Sequence, residues 1–194
     1  MSSRASPLTL IGISGSVRRG SFNSALLRAA QAAAAAEQAE LRIEPIASIP
    51  LYNGDEEAAN GLPEPVRRLR EAIAAADGLL LMTPEYNNSI PGVAKNAIDW
   101  CSRPPSDVKR VFGGKPVAIA GASPGGFGTV LSQAAWLPVF KTLGAEVWAG
   151  GRLLVSRAEG VFDENGNLKD ETARASVRKF VAGFVAHVRS RTIQ

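Results

Sequence analysis

The sequence predicts a doubly wound α/β domain: a five-stranded parallel sheet in the order 2-1-3-4-5, with helices on both faces. Two observations carry this. Apolar runs of strand length alternate with stretches of helical periodicity, the pattern of a parallel sheet covered on both sides. Turn-rich loops follow the first, third and fourth of those runs, on the edge where a doubly wound sheet collects its ligands. The 194 residues, 45% hydrophobic and 21% charged, are enough for one domain over 1–194 with a sizeable core.

Strands are expected near Leu8 to Ile13, Leu41 to Ile46, Gly78 to Thr83, Val117 to Gly121 and Glu146 to Val155. Each is rich in Val, Ile, Leu or Ala and bounded by turn residues. Helices are expected near Ser24 to Glu37, Pro63 to Ala75, Pro91 to Trp100, Thr129 to Leu143 and Glu171 to Arg189. The last is the clearest: Val177, Phe180, Val181, Phe184, Val185 and Val188 recur at three- and four-residue steps, a stripe that packs on the sheet. The alanines at 32–36 are plain helix formers, and Asp163-Glu164-Asn165-Gly166-Asn167 is a turn.

Composition narrows the function. The net charge of +4 favours anionic ligands, but the basic residues are scattered and no basic block interleaved with aromatics marks a nucleic-acid surface. Cys101 is the single cysteine and His187 the single histidine, so neither an internal disulfide nor a Cys/His zinc cluster is available. The polar start Met1 to Pro7 and the short apolar run after it fit neither a signal peptide nor a membrane span. A cytoplasmic protein with no membrane partner is expected, and Cys101 is read as a packing residue.

The first loop, Gly15-Ser16-Val17-Arg18-Arg19-Gly20-Ser21-Phe22-Asn23-Ser24, joins a strand to a helix. A helix start offers unpaired N–H groups and the positive end of the helix dipole, small residues allow close approach, and the arginines add donors: an anion site. The plainer reading is an ordinary connection in which Ser21 or Asn23 caps the helix. The loop after the third strand, Thr83-Pro84-Glu85-Tyr86-Asn87-Asn88-Ser89-Ile90-Pro91-Gly92, offers a stiff backbone, a flat apolar surface and amides, which suit a planar heteroaromatic ring. The third, Ala122-Ser123-Pro124-Gly125-Gly126-Phe127-Gly128, brings main-chain N–H groups close to polar ring atoms. Phosphate at one loop and a ring at the others describe a mononucleotide.

The patterns G-S-V-R-R-G-S-F-N, P-E-Y-N-N-S-I-P-G, K-N-A-I-D-W, G-A-S-P-G-G-F-G and F-D-E-N-G-N-L, in this order, resemble the NAD(P)H-dependent FMN reductase family, which includes quinone, chromate and azo reductases. The resemblance implies a flavodoxin-like three-layer fold holding FMN. Ser16, Val17, Arg18, Ser21, Phe22 and Asn23 would surround the phosphate, Pro84, Glu85, Tyr86 and Asn87 would border the isoalloxazine ring, and Ser123 and Gly125 would match the third flavin loop. It further implies a homodimer or homotetramer using the helix at Lys95 to Trp100. Hydride would pass from NADPH or NADH to the flavin and on to a small-molecule acceptor, a quinone or flavin among others, with no catalytic acid, base or nucleophile among the side chains. Glu85 then reads as a solvated loop carboxylate or a dimer salt-bridge partner. Two positions depart from the family pattern: Ala94, where many relatives have leucine, and Gly126, where many have arginine.

Two other activities compete. A flavodoxin-type electron carrier would share the fold and the flavin, although this chain is basic and such carriers are typically acidic. A serine hydrolase is suggested by Gly121-Ala122-Ser123-Pro124-Gly125, a G-x-S-x-G pattern with Ser123 as nucleophile. Against it, Pro124 has no N–H for the oxyanion. The first loop also lacks the Gly-Lys-Ser/Thr ending of a nucleoside triphosphatase.

Overall fold

The computed structural model describes residues 8–192, so the polar opening segment 1–7 lies outside the described residues. The strands β1 (Leu8–Ser14), β2 (Ala39–Ile43), β3 (Gly78–Met82) and β4 (Pro116–Ala122) are parallel neighbours in the order 2-1-3-4. β1 lies between β2 and β3: Leu10 sits opposite Leu41 on one side and Gly78 on the other. Beyond β4 the expected fifth strand is broken in two, β5 (Glu146–Val147) at the start of β4 and β6 (Leu154–Val155) at its end, both parallel to it. The break falls where Trp148 turns inward onto Phe180 and Phe184, with Gly150 and Gly151 lying against its indole. Burying that indole outweighs continuing a short edge strand.

Side chains alternate across each strand and divide the interior into two cores. Leu8, Leu10, Leu80, Met82, Ala118, Ala120 and Ala122 face α1 (Phe22–Ala36) and the long C-terminal helix Glu171–Thr192. Ile11, Ile13, Leu79, Leu81, Val117 and Ile119 face the opposite layer, where the helices Glu64–Ala75, Gly92–Cys101 and Val130–Thr142 pack. The stripe read in the last helix is the buried one: Val177, Phe180, Val181, Phe184, Val185 and Val188 are all inside. Each such side chain contributes about 1.5–3 kcal/mol on burial.

Four further elements, Gly54–Asn60, Pro105–Asp107, Val108–Phe112 and Ala158–Val161, have no apolar period to announce them. α2 (Gly54–Asn60) buries nothing; Asn53 caps it and Asp55, Glu56 and Glu57 fill its first turn, where acids suit the dipole. α3 is Glu64–Ala75 and α4 is Gly92–Cys101. A 3₁₀ turn at Pro105–Asp107 leads into α5 (Val108–Phe112), α6 is Val130–Thr142, and a single turn α7 (Ala158–Val161) precedes α8 (Glu171–Thr192). The turn read at 163–167 forms between α7 and α8, with Asp163 Oδ1 accepting from Asn165 N–H (3.0 Å) and Asn167 N–H (2.7 Å). Those main-chain donors hold the Asp163 carboxyl below the usual carboxylate range.

Cys101 closes α4 with no exposed surface, and burial pushes its thiol up to about 12. Only the thiolate is nucleophilic. A chromogenic disulfide reagent at pH 8 is therefore expected to label Cys101 only after the chain is unfolded. Rapid labelling of the native protein would show an opening at the end of α4 that this packing does not allow.

Candidate functional site

The first loop leaves β1 at Ser14 and reaches α1 at Phe22. Ser21 ends it as the helix cap: its side-chain oxygen accepts from Ser24 N–H (3.3 Å). The first-turn N–H groups of Phe22 and Asn23 have no intrahelical acceptor by the geometry of a helix start. Ser16 is 8% exposed, and its hydroxyl oxygen accepts from Arg18 N–H at 3.4 Å. Behind it, Ser24 Oγ donates to Ser14 Oγ (2.9 Å) and fixes the strand end to the helix. Val17, Arg18, Arg19 and Gly20 are exposed at the rim. The Arg18 guanidinium lies over the Phe22 ring, 5.6 Å from its centroid, and Phe22 stacks on Phe162 (5.7 Å).

The second loop begins at Thr83 and is built around Pro84, which is buried. Gly15 is what lets the first loop lie against it, because a Cβ there would come within 3.0–3.3 Å of Pro84, Pro91 and Ala94. The alanine at 94 thus gives the close fit that a leucine would crowd. Tyr86 and Ser89 exchange main-chain hydrogen bonds (3.2 and 3.0 Å), so Asn87 and Asn88 form the two-residue tip, both left-handed at φ 50° and 62°. Asparagine is the side-chain-bearing residue best suited to that conformation. The turn presents Tyr86, 48% exposed, toward the first loop, with its hydroxyl 3.4 Å from Ser16 Oγ.

The third loop follows β4. Asn23 is the connection: 3% exposed, it donates from Nδ2 to Ala122 O and accepts at Oδ1 from Ala122 N–H, both at 2.9 Å. Its amide is therefore spent on the strand end, and only its main-chain N–H points into the helix start. Ser123 donates its hydroxyl proton to Gly128 O (2.5 Å), and Gly125 O accepts from Arg157 N–H (3.0 Å). Gly121 permits the close approach of β3, β4 and α6, since a Cβ there would fall 2.1 Å from both Thr129 Oγ1 and Thr83 O. Gly126 is exposed, and a Cβ there would meet nothing within 4 Å.

The structure thus brings Ser16, Val17, Arg18, Ser21, Phe22, Pro84, Tyr86 and Asn87 to one edge, with Ser123 and Gly125 in the neighbouring loop. Glu85 is half-buried, and its Oε2 accepts from Leu131 N–H (2.8 Å) and Ser132 N–H (3.1 Å) at the start of α6. No sequence signal marks that pairing. Nor does one mark the segment at 50–52, which covers α4: Asn96 accepts from Tyr52 N–H, and Asn96 and Trp100 both donate to Pro50 O. Tyr52 then packs edge-on against Trp100, and Arg103 pairs with Glu57 (2.8 Å).

The hydrolase reading fails on this geometry. The Ser123 proton is directed at a carbonyl, and His187 lies at the other end of the sheet, 3.4 Å from Glu146 at the start of β5. Among the described residues no histidine or carboxylate is hydrogen-bonded to the serine, as an activated nucleophile would need. Among the described residues no helix is long and apolar enough to cross a membrane.

The profile of the NADPH-dependent FMN reductase family matches residues 8–160. The NAD(P)H-dependent FMN reductase of Pseudomonas aeruginosa is 42% identical over 182 residues, covering 94% of this chain and 96% of its own length. The 2-hydroxy-1,4-benzoquinone reductase of Burkholderia is 38% identical over 186 residues, covering 96% and 99%. Among solved structures, the flavoenzyme FerB of Paracoccus denitrificans, an NAD(P)H:(acceptor) oxidoreductase, superposes with a TM-score of 0.83 at 33% identity, covering 94% of this chain and 98% of that one. The profile match over most of the chain, together with the fold shared with that flavoenzyme, places this protein in the NADPH-dependent FMN reductase family.

Proposed function

We propose that the chain is an FMN-dependent oxidoreductase that carries hydride from NADPH or NADH to quinones, flavins or other small electron acceptors, chromate and azo compounds among them. The observation that carries this reading is the convergence of unpaired donors at the start of α1 with the exposed ring of Tyr86, across a Ser16 to Tyr86 contact of 3.4 Å. FMN needs both features: a dianionic phosphate at one end and a flat ring at the other.

The residues present fit the group. Ser21 accepts from Ser24 N–H, which leaves its own O–H proton to donate to phosphate, and the Phe22 and Asn23 main-chain N–H groups aim along the helix start. Arg18 adds charge from the rim, and Ser16 and Val17 line the turn. Pro84, Tyr86 and Asn87 set the ring-facing surface, with Glu85 held behind them by the start of α6; Ser123 and Gly125 shape the third loop. Bound FMN would supply the two-electron chemistry, and the protein's part is phosphate neutralisation, orientation and a stacking surface. No side chain here needs to act as acid or base.

On this reading 1–194 forms one FMN-binding domain that works in the cytoplasm as a homodimer or homotetramer. The exposed Leu51 and Phe127, 85% and 83% accessible, give such an assembly apolar surface to bury.

The purified protein is expected to be yellow, to release a cofactor of FMN mass, and to oxidise NADPH or NADH when a benzoquinone is added. A colourless preparation whose spectrum and stability are unchanged by added FMN would overturn the reading. A yellow protein that leaves nicotinamide untouched would be an electron carrier instead.

A further inference from the structure

We infer that Glu85 is a positioning residue for the flavin site, a role that rests on the FMN reductase reading above. Helix α6 starts without a cap of its own. Thr129, at its N-cap position, makes no side-chain capping bond, and its hydroxyl instead accepts from Gln133 Nε2 (3.0 Å). The cap comes from a different loop: the Glu85 carboxylate accepts from Leu131 N–H and Ser132 N–H, a charge-assisted pair at the positive end of the helix dipole.

The same helix holds the same loop at two more points. Thr83 Oγ1 and Ser132 Oγ lie 2.8 Å apart, and Trp136 Nε1–H donates to Thr83 Oγ1 (3.0 Å). All three groups are buried. One face of α6 therefore grips the chain at Thr83 and Glu85, immediately before Tyr86 and Asn87. Because α6 leads out of the third loop at Gly128, the carboxylate also fixes the second and third loops relative to each other. Glu85 itself turns away from the ring-facing surface; it sets where that surface stands before FMN arrives, which lowers the ordering cost of binding.

The test separates positioning from simple helix stability. FMN dissociation constants from flavin fluorescence, the visible circular dichroism of bound FMN, and thermal melting are measured for the wild type, Glu85→Ala, Glu85→Gln, and Glu85→Ala combined with Leu131→Asp. Leu131 is 46% exposed, and an aspartate there restores negative charge to the first turn without touching the loop. Glu85→Ala is expected to weaken FMN binding about five- to ten-fold, the size of a lost cap, and to change the flavin dichroism. Glu85→Gln, which keeps one carbonyl acceptor, recovers part of the affinity. The double variant recovers the melting temperature and neither the affinity nor the dichroism.

Affinity within about two-fold of wild type in Glu85→Ala, or affinity that returns together with the melting temperature in the double variant, overturns the inference while leaving the FMN reading in place. A wild-type protein that does not bind FMN overturns both.

Discussion

Asn23→Ala is expected to lower the unfolding free energy by about 2–5 kcal/mol and the melting temperature by about 5–15 °C. Asn23 is one of the few polar side chains in the core, and its amide closes a two-bond ring with the main chain of Ala122. Alanine leaves a buried N–H and a buried C=O without partners, each at a cost of about 1–3 kcal/mol, and opens a small void between α1 and β4. The damage is placed where it matters, since Ala122 is the last residue of β4 and the third loop departs from it. Asn60→Ala is the control: Asn60 is exposed and its side chain donates to the exposed Glu56 carboxylate, so it should stay within about 0.5 kcal/mol of wild type. Equal melting temperatures for the two variants would show that α1 and β4 do not depend on this amide.

Asn23 also shows where the sequence stops being informative. Its position after a glycine- and serine-rich turn suits a phosphate ligand, and nothing local says that Ala122, 99 residues away, claims both ends of the amide. The same holds for Glu85, whose acceptor role depends on where α6 begins, and for Ser123, whose proton goes to Gly128 O. Periodicity, by contrast, is local. The alternation of Leu10, Ile11 and Ile13, or of Leu79 to Met82, fixes both faces of a strand without knowledge of its neighbours, and the α8 stripe fixes a helix face in the same way. α2 escaped because it has no buried face, and the fifth strand was read too long because Trp148 suits a strand as well as it suits a pocket under α8. Strand order and loop placement follow from patterns of burial, whereas the wiring of the site follows from long-range hydrogen bonds.

Arg18→Ala is expected to weaken FMN binding about 10- to 150-fold, the equivalent of one charge-assisted hydrogen bond of about 1.5–3 kcal/mol. Arg18 is exposed, yet its guanidinium is not free to wander: it lies 5.6 Å over the Phe22 ring, which is itself stacked on Phe162. A planar cation held on an aromatic face loses less freedom when it engages an anion than one extended into water. The neighbouring donors, Ser21 and the first-turn N–H groups, stay in place in the variant, because the Ser21 cap and the Ser24 to Ser14 bond do not involve Arg18. The variant should therefore melt with the wild type in the absence of FMN while binding it more weakly. Screening supplies a second readout: the gap between the two dissociation constants, measured by calorimetric titration, narrows as salt rises from about 0.05 to 0.5 M, since the Debye length shrinks several-fold over that range. Equal affinities at low salt would remove Arg18 from the phosphate site. A gap that ignores salt would mean instead that Arg18 works by packing on Phe22 and not by its charge.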